Sequence, residues 1–281
     1  MKLNSLNEDI KNNIKDYIIF KPKNKDELQE AVDLWIENKE DALNYYGHIS
    51  VWDTSLIDDM SYLFSHNTDF NDNIFNWDVS LVTNTNHMFY GVHSFNQDIS
   101  QWDVSNVIDM SSLFDGAKSF NQSLNSWNVS SVRNMWCTFY EAESFNQPLD
   151  SWDVSSVTNM NRMFCGARSF NQPLYCWDVS SVTNMRFMFM AARSFNQPLN
   201  FWNVSSVTDM SSMFFNARSF NQLLDCWSVL SVTNMYRMFF EACSFNQNLN
   251  SWDVSSVIDT RKMFDGAVSF NKNNALWYDF N

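Results

Sequence analysis

Residues 152–176 read WDVSSVTNMNRMFCGARSFNQPLYC, and this 25-residue stretch is one of nine closely similar copies. Trp stands at every twenty-fifth position from Trp52 to Trp277, and Phe does the same from Phe64 to Phe264. A second Phe column runs from Phe70 to Phe270, and each member is followed by an Asn, from Asn71 to Asn271. No insertion breaks the register. A fixed period of this length means a repeat architecture, in which one unit cannot bury its apolar face alone and must stack on its neighbours.

Within the unit, Met160, Met163, Phe164 and Ala167 fall at i, i+3, i+4 and i+7, which predicts a short helix with one apolar face. The residue before that segment is Asp or Asn in every copy, from Asp59 to Asp259, as expected of an N-cap that accepts an orphan backbone N–H. Leu174 and Trp177 are expected to bracket a short strand, and stacked units would make a parallel sheet. Pro148, Pro173 and Pro198 suit the first position of such a strand, where no ladder N–H is needed. The fold class read from these signals is α/β: a repeat solenoid with one short parallel strand and one short helix per coil.

Three units are expected along the chain: a helical N-terminal cap over 1–48, nine repeats over 49–276, and a partial C-terminal cap over 277–281. In the cap, Asn24 and Glu27 form a capping-box-like start, and Leu28, Ala31, Val32, Trp35 and Ile36 make an apolar stripe. Lys39 to Tyr46 reads as a second helix closed by Gly47. Leu6 to Phe20 reads as a helix, or a helix and a strand, with Ile10, Ile14, Tyr17 and Ile18 apolar. The thin C-terminal end is a candidate edge for end-to-end self-association.

The polar columns have structural readings. The Asn after the second Phe is expected to bond the backbone of its own turn and of the next coil. The position after each Trp is Asp, Asn or Ser, so it keeps an acceptor and not a charge, as an Asx turn requires. A calcium ladder is the alternative for that column, since stacked carboxylates would repel. Metal and cofactor sites are otherwise not indicated.

The 281-residue chain carries 32 acidic and 18 basic residues, a formal net charge of -14, which disfavours a nucleic-acid partner. Five cysteines, an odd count matching no zinc spacing, suggest a reducing compartment. Cys176 and Cys226 share a column but lie two coils apart, on the order of 10 Å, too far for a disulfide within one chain. The first twenty residues, MKLNSLNEDIKNNIKDYIIF, contain no apolar run of signal-peptide length, and no segment has the length of a membrane span. An intracellular location, viral or host cytoplasm, is the resulting expectation.

The unit W-D-V-S-S-V-T-N-M-x-x-M-F-x-x-A-x-S-F-N-Q-P-L resembles the repeats of BspA-like leucine-rich-repeat surface proteins, over residues 49 to about 277. Trp177 to Leu199 matches nearly every position, and the lead-in LQEAVDLWIENKEDALNYYGHISVWDTS is also similar. Such proteins are abundant in mycoplasmas and occur in giant viruses and some protists. The resemblance implies a leucine-rich-repeat-like coil with a strand and a helix. This chain departs by using Phe, Trp and Met where Leu is usual. Its Asn-, Lys- and Ile-rich start suits an AT-rich genome and makes a giant virus the preferred source.

Catalysis needs polar groups gathered in one place, whereas the conspicuous polar residues here recur at the repeat period. His48, His66, His87 and His93 all lie in the N-terminal third, and no Ser–His–Asp set, phosphate loop or HExxH is present. The expectation is a non-enzymatic scaffold that binds a protein partner. A self-assembling or adhesin-like surface protein that binds host glycans is the alternative. Candidate contact residues are the aromatic side chains in the variable columns: Trp136, Tyr140, Phe187, Phe215, Tyr236 and Phe240. The rival surface contains Asp150, Tyr175, Asn200, Phe201 and Asp225.

Overall fold

The structure, a computed structural model, describes residues 19–280. The expectation for Leu6 to Phe20 falls almost wholly outside them. Helix α1 (Lys25–Glu37) is capped by Asn24, whose side chain accepts the Glu27 N–H at 3.0 Å. Glu27 reaches back to the Lys23 N–H at 2.9 Å, one residue before the cap. Leu28, Ala31, Val32 and Trp35 are buried against the first coil. Helix α2 (Lys39–Tyr46) follows and ends at Gly47, whose φ of 73° is left-handed.

Beyond these two helices the architecture differs from the α/β solenoid expected above. Among the described residues there is no strand, and the repeats contain no α-helix. Coils are joined by single parallel bridges along one column, Asp59 to Asn84 and onward to Asp259. The expected helix is a run of turns. Met163, Cys165 and Ala167 donate their N–H groups three residues back, to Met160, Arg162 and Phe164, each at 3.1 Å. An α-helix would send them four back. Met160, Arg162, Phe164 and Gly166 instead donate to Asn184, Arg186, Met188 and Met190 of the next coil, at 3.2, 3.0, 2.9 and 2.7 Å. Arg162 and Gly166, with φ of 59° and 74°, stand third in two successive turns, the mark of type II. Two such turns bring residues i, i+3, i+4 and i+7 inward just as a helix does. A two-turn helix is too short to hold itself, so the backbone takes the inter-coil bonds instead.

The expected strand is a turn as well, because the Trp177 N–H donates to Leu174 O at 3.1 Å. This turn pushes the two residues between them outward. The leucine-rich-repeat geometry implied by the resemblance is therefore corrected together with the fold class.

The core is a set of aromatic columns. Phe164 stacks on Phe139 and Phe189 at 5.6 and 5.7 Å, and on Phe170 of its own coil at 4.2 Å. Trp152, Trp177 and Trp202 stack at 6.4 Å spacing. Each buried Phe contributes about 1.5–3 kcal/mol. The polar end of each Trp must also be satisfied. Trp152 Nε1 donates to Leu124 O at 2.8 Å and Trp177 Nε1 to Leu149 O at 2.9 Å, and the pattern repeats along the stack.

The Asn column binds one coil to the next. Asn146 Oδ1 accepts the Asn171 N–H at 2.9 Å and Gln172 Nε2 at 3.1 Å. The Asp column after Trp forms Asx turns, as in Asp153 accepting the Ser155 N–H at 3.0 Å. The Asp/Asn column before the turns accepts from the residue two on, as Asn159 does from the Asn161 N–H at 3.0 Å.

The two ends differ. In the turn segment every inter-coil N–H points towards the C-terminal end, so the first coil presents carbonyls outward. Helix α1 covers them, with Gln29 Nε2 donating to Leu63 O at 3.1 Å and Lys25 Nζ meeting Asp59 at 3.2 Å. At the far end Tyr278 and Phe280 fold over Phe264, at ring distances of 5.0 and 5.7 Å.

Candidate functional site

Two adjacent outward columns run along the turn face, from Ser61–Tyr62 to Arg261–Lys262. The second column is left-handed throughout: Tyr62, His87, Ser112, Cys137, Arg162, Phe187, Ser212, Arg237 and Lys262 all have positive φ. Left-handed backbone is costly for residues with a Cβ. Here each left-handed N–H bonds the next coil wherever one follows, as at Cys137 to Asn161 O (3.0 Å) and Phe187 to Ser211 O (3.0 Å).

All six candidate residues lie on this face and all are half-buried. Trp136 lies two coils from His87, at a ring distance of 6.1 Å, above the buried pair Ser111–Ser112. Ser211–Ser212 is a second buried small pair, and Phe187 and Tyr236 flank it one coil to either side. Phe215 stacks on Phe240 at 4.8 Å.

Arginines cover the aromatic rings. Arg162 and Arg186 lie 4.6 and 4.5 Å from the centre of Phe187. Arg237 lies 5.0 Å from Tyr236 and 5.1 Å from Phe240, and Arg261 lies 5.7 Å from Tyr236. Such contacts draw a guanidinium to the ring face; Arg261 also donates twice to Asp259, at 3.0 and 2.7 Å, and Arg162 to Asn161 Oδ1 at 3.3 Å. Arg237 Nε is buried without a hydrogen-bond partner. The two columns contain five cations and no acid, in a chain of net charge -14. These arginines are the part of the site that a search for aromatics passed over. Their signal in the sequence is the absence of any acid from these two columns; cations alone do not mark them, since Lys118, Arg168, Arg193 and Arg218 share another column.

A titratable cluster lies nearer the middle. Burial raises the Asp115 carboxyl to about 7, against a hydrogen bond from Ser112 and with help from the Glu141 charge. Burial also pushes the Tyr140 phenol and the Cys165 thiol up to about 12, and the Cys137 thiol higher still. Groups held so firmly protonated are poor nucleophiles. Among the described residues no three His, Cys, Asp or Glu side chains converge to hold a metal ion. A cleft of about 420 Å³ at the seam between the two helices and the first coil is lined in part by Asp72, which accepts from Trp35 Nε1 at 2.8 Å and Lys39 Nζ at 2.7 Å.

The family described as "Mycoplasma protein of unknown function, DUF285" matches residues 35–149, 123–208 and 198–280. The chain belongs to this family. The matched segments together span the stacked coils and the end of the N-terminal cap, and each covers several coils. No curated protein matches the chain. Among the described residues no helix is long and apolar enough to cross a membrane.

The rival surface is the more exposed one. Tyr175 is 54% and Phe201 82% exposed, at the tips of the turns that replace the expected strand.

Proposed function

We propose that the chain is a non-enzymatic scaffold whose protein partner docks on the arginine–aromatic stripe of the later coils, from Arg162 to Lys262. One observation carries this reading: Arg162, Arg186, Arg237 and Arg261 lie over the rings of Phe187, Tyr236 and Phe240 in columns free of acids. Arginine and aromatic residues are the types in which interface energy concentrates. The rings here prepay part of the ordering cost of the arginines. The partner's matching chemistry is carboxylate-bearing, since the two columns of the stripe hold five cations and no acid on an acidic protein. A nucleic acid fits less well, because the net charge of -14 repels a phosphate backbone.

The finer kinship to BspA-like proteins and a giant-virus source rests on the wording of the repeat, W-D-V-S-S-V-T-N-M, and on the Asn- and Lys-rich start. The setting we propose is intracellular, in keeping with five cysteines free of disulfides.

The test is quantitative affinity capture by the wild type and by an Arg186→Glu, Arg237→Glu variant of equal melting temperature. Loss of the partners held by the wild type supports the stripe. Retention of the same partners at the same yield sinks it.

A further inference from the structure

Within the stripe, one small pair interrupts the large side chains of the later coils. Arg186 and Phe187 stand in the coil before Ser211 and Ser212, and Tyr236 and Arg237 in the coil after. The arginines occupy one diagonal of this patch and the rings the other. Ser211 and Ser212 are each 2% exposed.

Two donors in the patch are orphaned. The Ser211 hydroxyl and Arg237 Nε are buried without a hydrogen-bond partner, and no other side-chain atom among the described residues is in that state. Buried polar groups are ordinarily paired, so an orphan in a native fold calls for an explanation. The repeat itself does not force it. Serine recurs in the same column at 61 and 111, and in both places the hydroxyl is satisfied. Lys25 Nζ donates to Ser61 Oγ. Ser111 Oγ donates to Asp109 Oδ1 at 2.6 Å and accepts from Asn86 Nδ2, and the rings of His87 and Trp136 approach to 6.1 Å across that pair. Around Ser211 the flanking arginines can only donate.

We propose that this patch is the socket for one carboxylate of the partner, which accepts from Ser211 Oγ and Arg237 Nε. The assignment rests on the reading that an acidic protein docks on the stripe, and it names the point at which that protein is held. The donors decide the chemistry. A hydroxyl with a guanidinium at each of two corners asks for a negatively charged acceptor, and a carboxylate matches the fork of a guanidinium. Arg237 is already placed for this by Tyr236 and Phe240, whose ring centres lie 5.0 and 5.1 Å away. Arg186 is exposed, held over Phe187 at 4.5 Å and by no ion pair among the described residues. Its side chain can therefore turn outward to admit the carboxylate and close on it. An aspartate or glutamate brings a single charge, whereas a phosphate brings nearly two to a protein of net charge -14 and is the less favoured anion.

The test is NMR on the full isotope-labelled chain, following the arginine Nε–H signals as a blocked peptide with a single glutamate between glycines is added. The Arg237 Nε–H signal should shift and saturate, and the glutamine version of the peptide should leave it in place. Ser211→Ala should weaken the binding at least about tenfold. Its melting temperature should stay level or rise, because the hydroxyl it removes has no bond to lose. Ser111→Ala, which breaks the bonds to Asp109 and Asn86, should lower the melting temperature and leave peptide binding as it was. An Arg237 signal that stays put while those of Arg162, Arg186 or Arg261 move would overturn the socket and leave the stripe standing. The same holds for a Ser211→Ala chain that binds as tightly as the parent. A peptide that moves none of these signals would remove both readings. A melting temperature lowered in Ser211→Ala as far as in Ser111→Ala would show the hydroxyl bonded within the chain and end the proposal. A phosphoserine peptide bound at least about tenfold more tightly than the glutamate peptide would overturn the carboxylate assignment.

Discussion

Replacing Asn146 by Ala isolates what one rung of the Asn ladder contributes to the stack. Asn146 Oδ1 accepts the Asn171 N–H at 2.9 Å and Gln172 Nε2 at 3.1 Å, both from the next coil. Ala removes that oxygen. Gln172 keeps the Asn146 backbone carbonyl at 3.1 Å, so the principal loss is the Asn171 N–H, left part-buried without an acceptor. An orphaned donor costs about 1–3 kcal/mol, and partial access to water holds this one to about 1–2. Asn271→Ala is the internal control. Its side chain accepts the Asn273 N–H of its own turn at 3.0 Å, and among the described residues it ties no other coil. The control should therefore cost under about 1 kcal/mol. Guanidinium titration measures both variants, and amide hydrogen exchange reads the Asn171 N–H directly. A central lesion should also broaden the transition, since a stack of nearest-neighbour contacts weakened in the middle can unfold in two parts. Equal costs at the two positions, or unchanged protection of the Asn171 amide in Asn146→Ala, would refute the claim that this column ties coil to coil.

Three further outcomes follow from the same geometry. The Asp115 carboxyl is raised to about 7 from its usual 3.8, so between those values the native state holds the extra proton and stability falls as pH rises. After discounting for partial exposure the fall should be about 1–2 kcal/mol, and Asp115→Asn should flatten it in melts across that range. Glu141 has a φ of 49° in a column that carries glycine at 91, 116, 166 and 266, so Glu141→Gly should relieve strain and stabilise by about 0.5–1 kcal/mol. It should also lower the Asp115 titration point seen by NMR, because the Glu141 charge is one of the influences raising it. Trp152→Phe removes the 2.8 Å bond to Leu124 O and leaves a buried carbonyl and a small void, a loss of about 2–4 kcal/mol by denaturant titration. A loss below about 1 kcal/mol would show that the indole bond is dispensable.

The sequence shows which residues are buried far more clearly than what backbone buries them. The Trp and Phe columns are core, and the Asn column bonds its neighbours, as their period implies. The structure has turns where the period predicts a helix because Met160, Met163, Phe164 and Ala167 fit both a 3.6-residue period and two successive type II turns. A discriminating signal was nonetheless present. Four of the chain's five glycines, Gly91, Gly116, Gly166 and Gly266, fall in one column, inside what would be the helix. Glycine inside a helix costs about 1 kcal/mol relative to alanine, so a recurring one points to left-handed backbone, and all four have positive φ. The strand failed for a related reason: a turn from Leu174 to Trp177 needs only one backbone bond and leaves the residues between them free to vary. For the stripe, the aromatic members could be read from their columns, but the guanidinium–ring contacts could not. They depend on Phe187 having arginines both in its own coil and in the coil before it.

The direction of the hydrogen bonds explains why the two ends need different treatment. In the turn segment, N–H groups point to the C-terminal end in every coil, so the rows align head to tail as peptide units do in a helix. The N-terminal end of the stack is then its negative end, and the groups supplied there by α1 are donors, the Gln29 amide and the Lys25 ammonium. At the other end, among the described residues, the N–H groups of Thr260, Lys262, Phe264 and Gly266 meet no following coil. The rows flanking the turn segment run the other way, from the Thr158 N–H to Arg133 O at 3.0 Å and from the Ser169 N–H to Glu143 O at 3.2 Å, so the C-terminal edge sets acceptors beside these donors, and Tyr278 and Phe280 cover only its aromatic core.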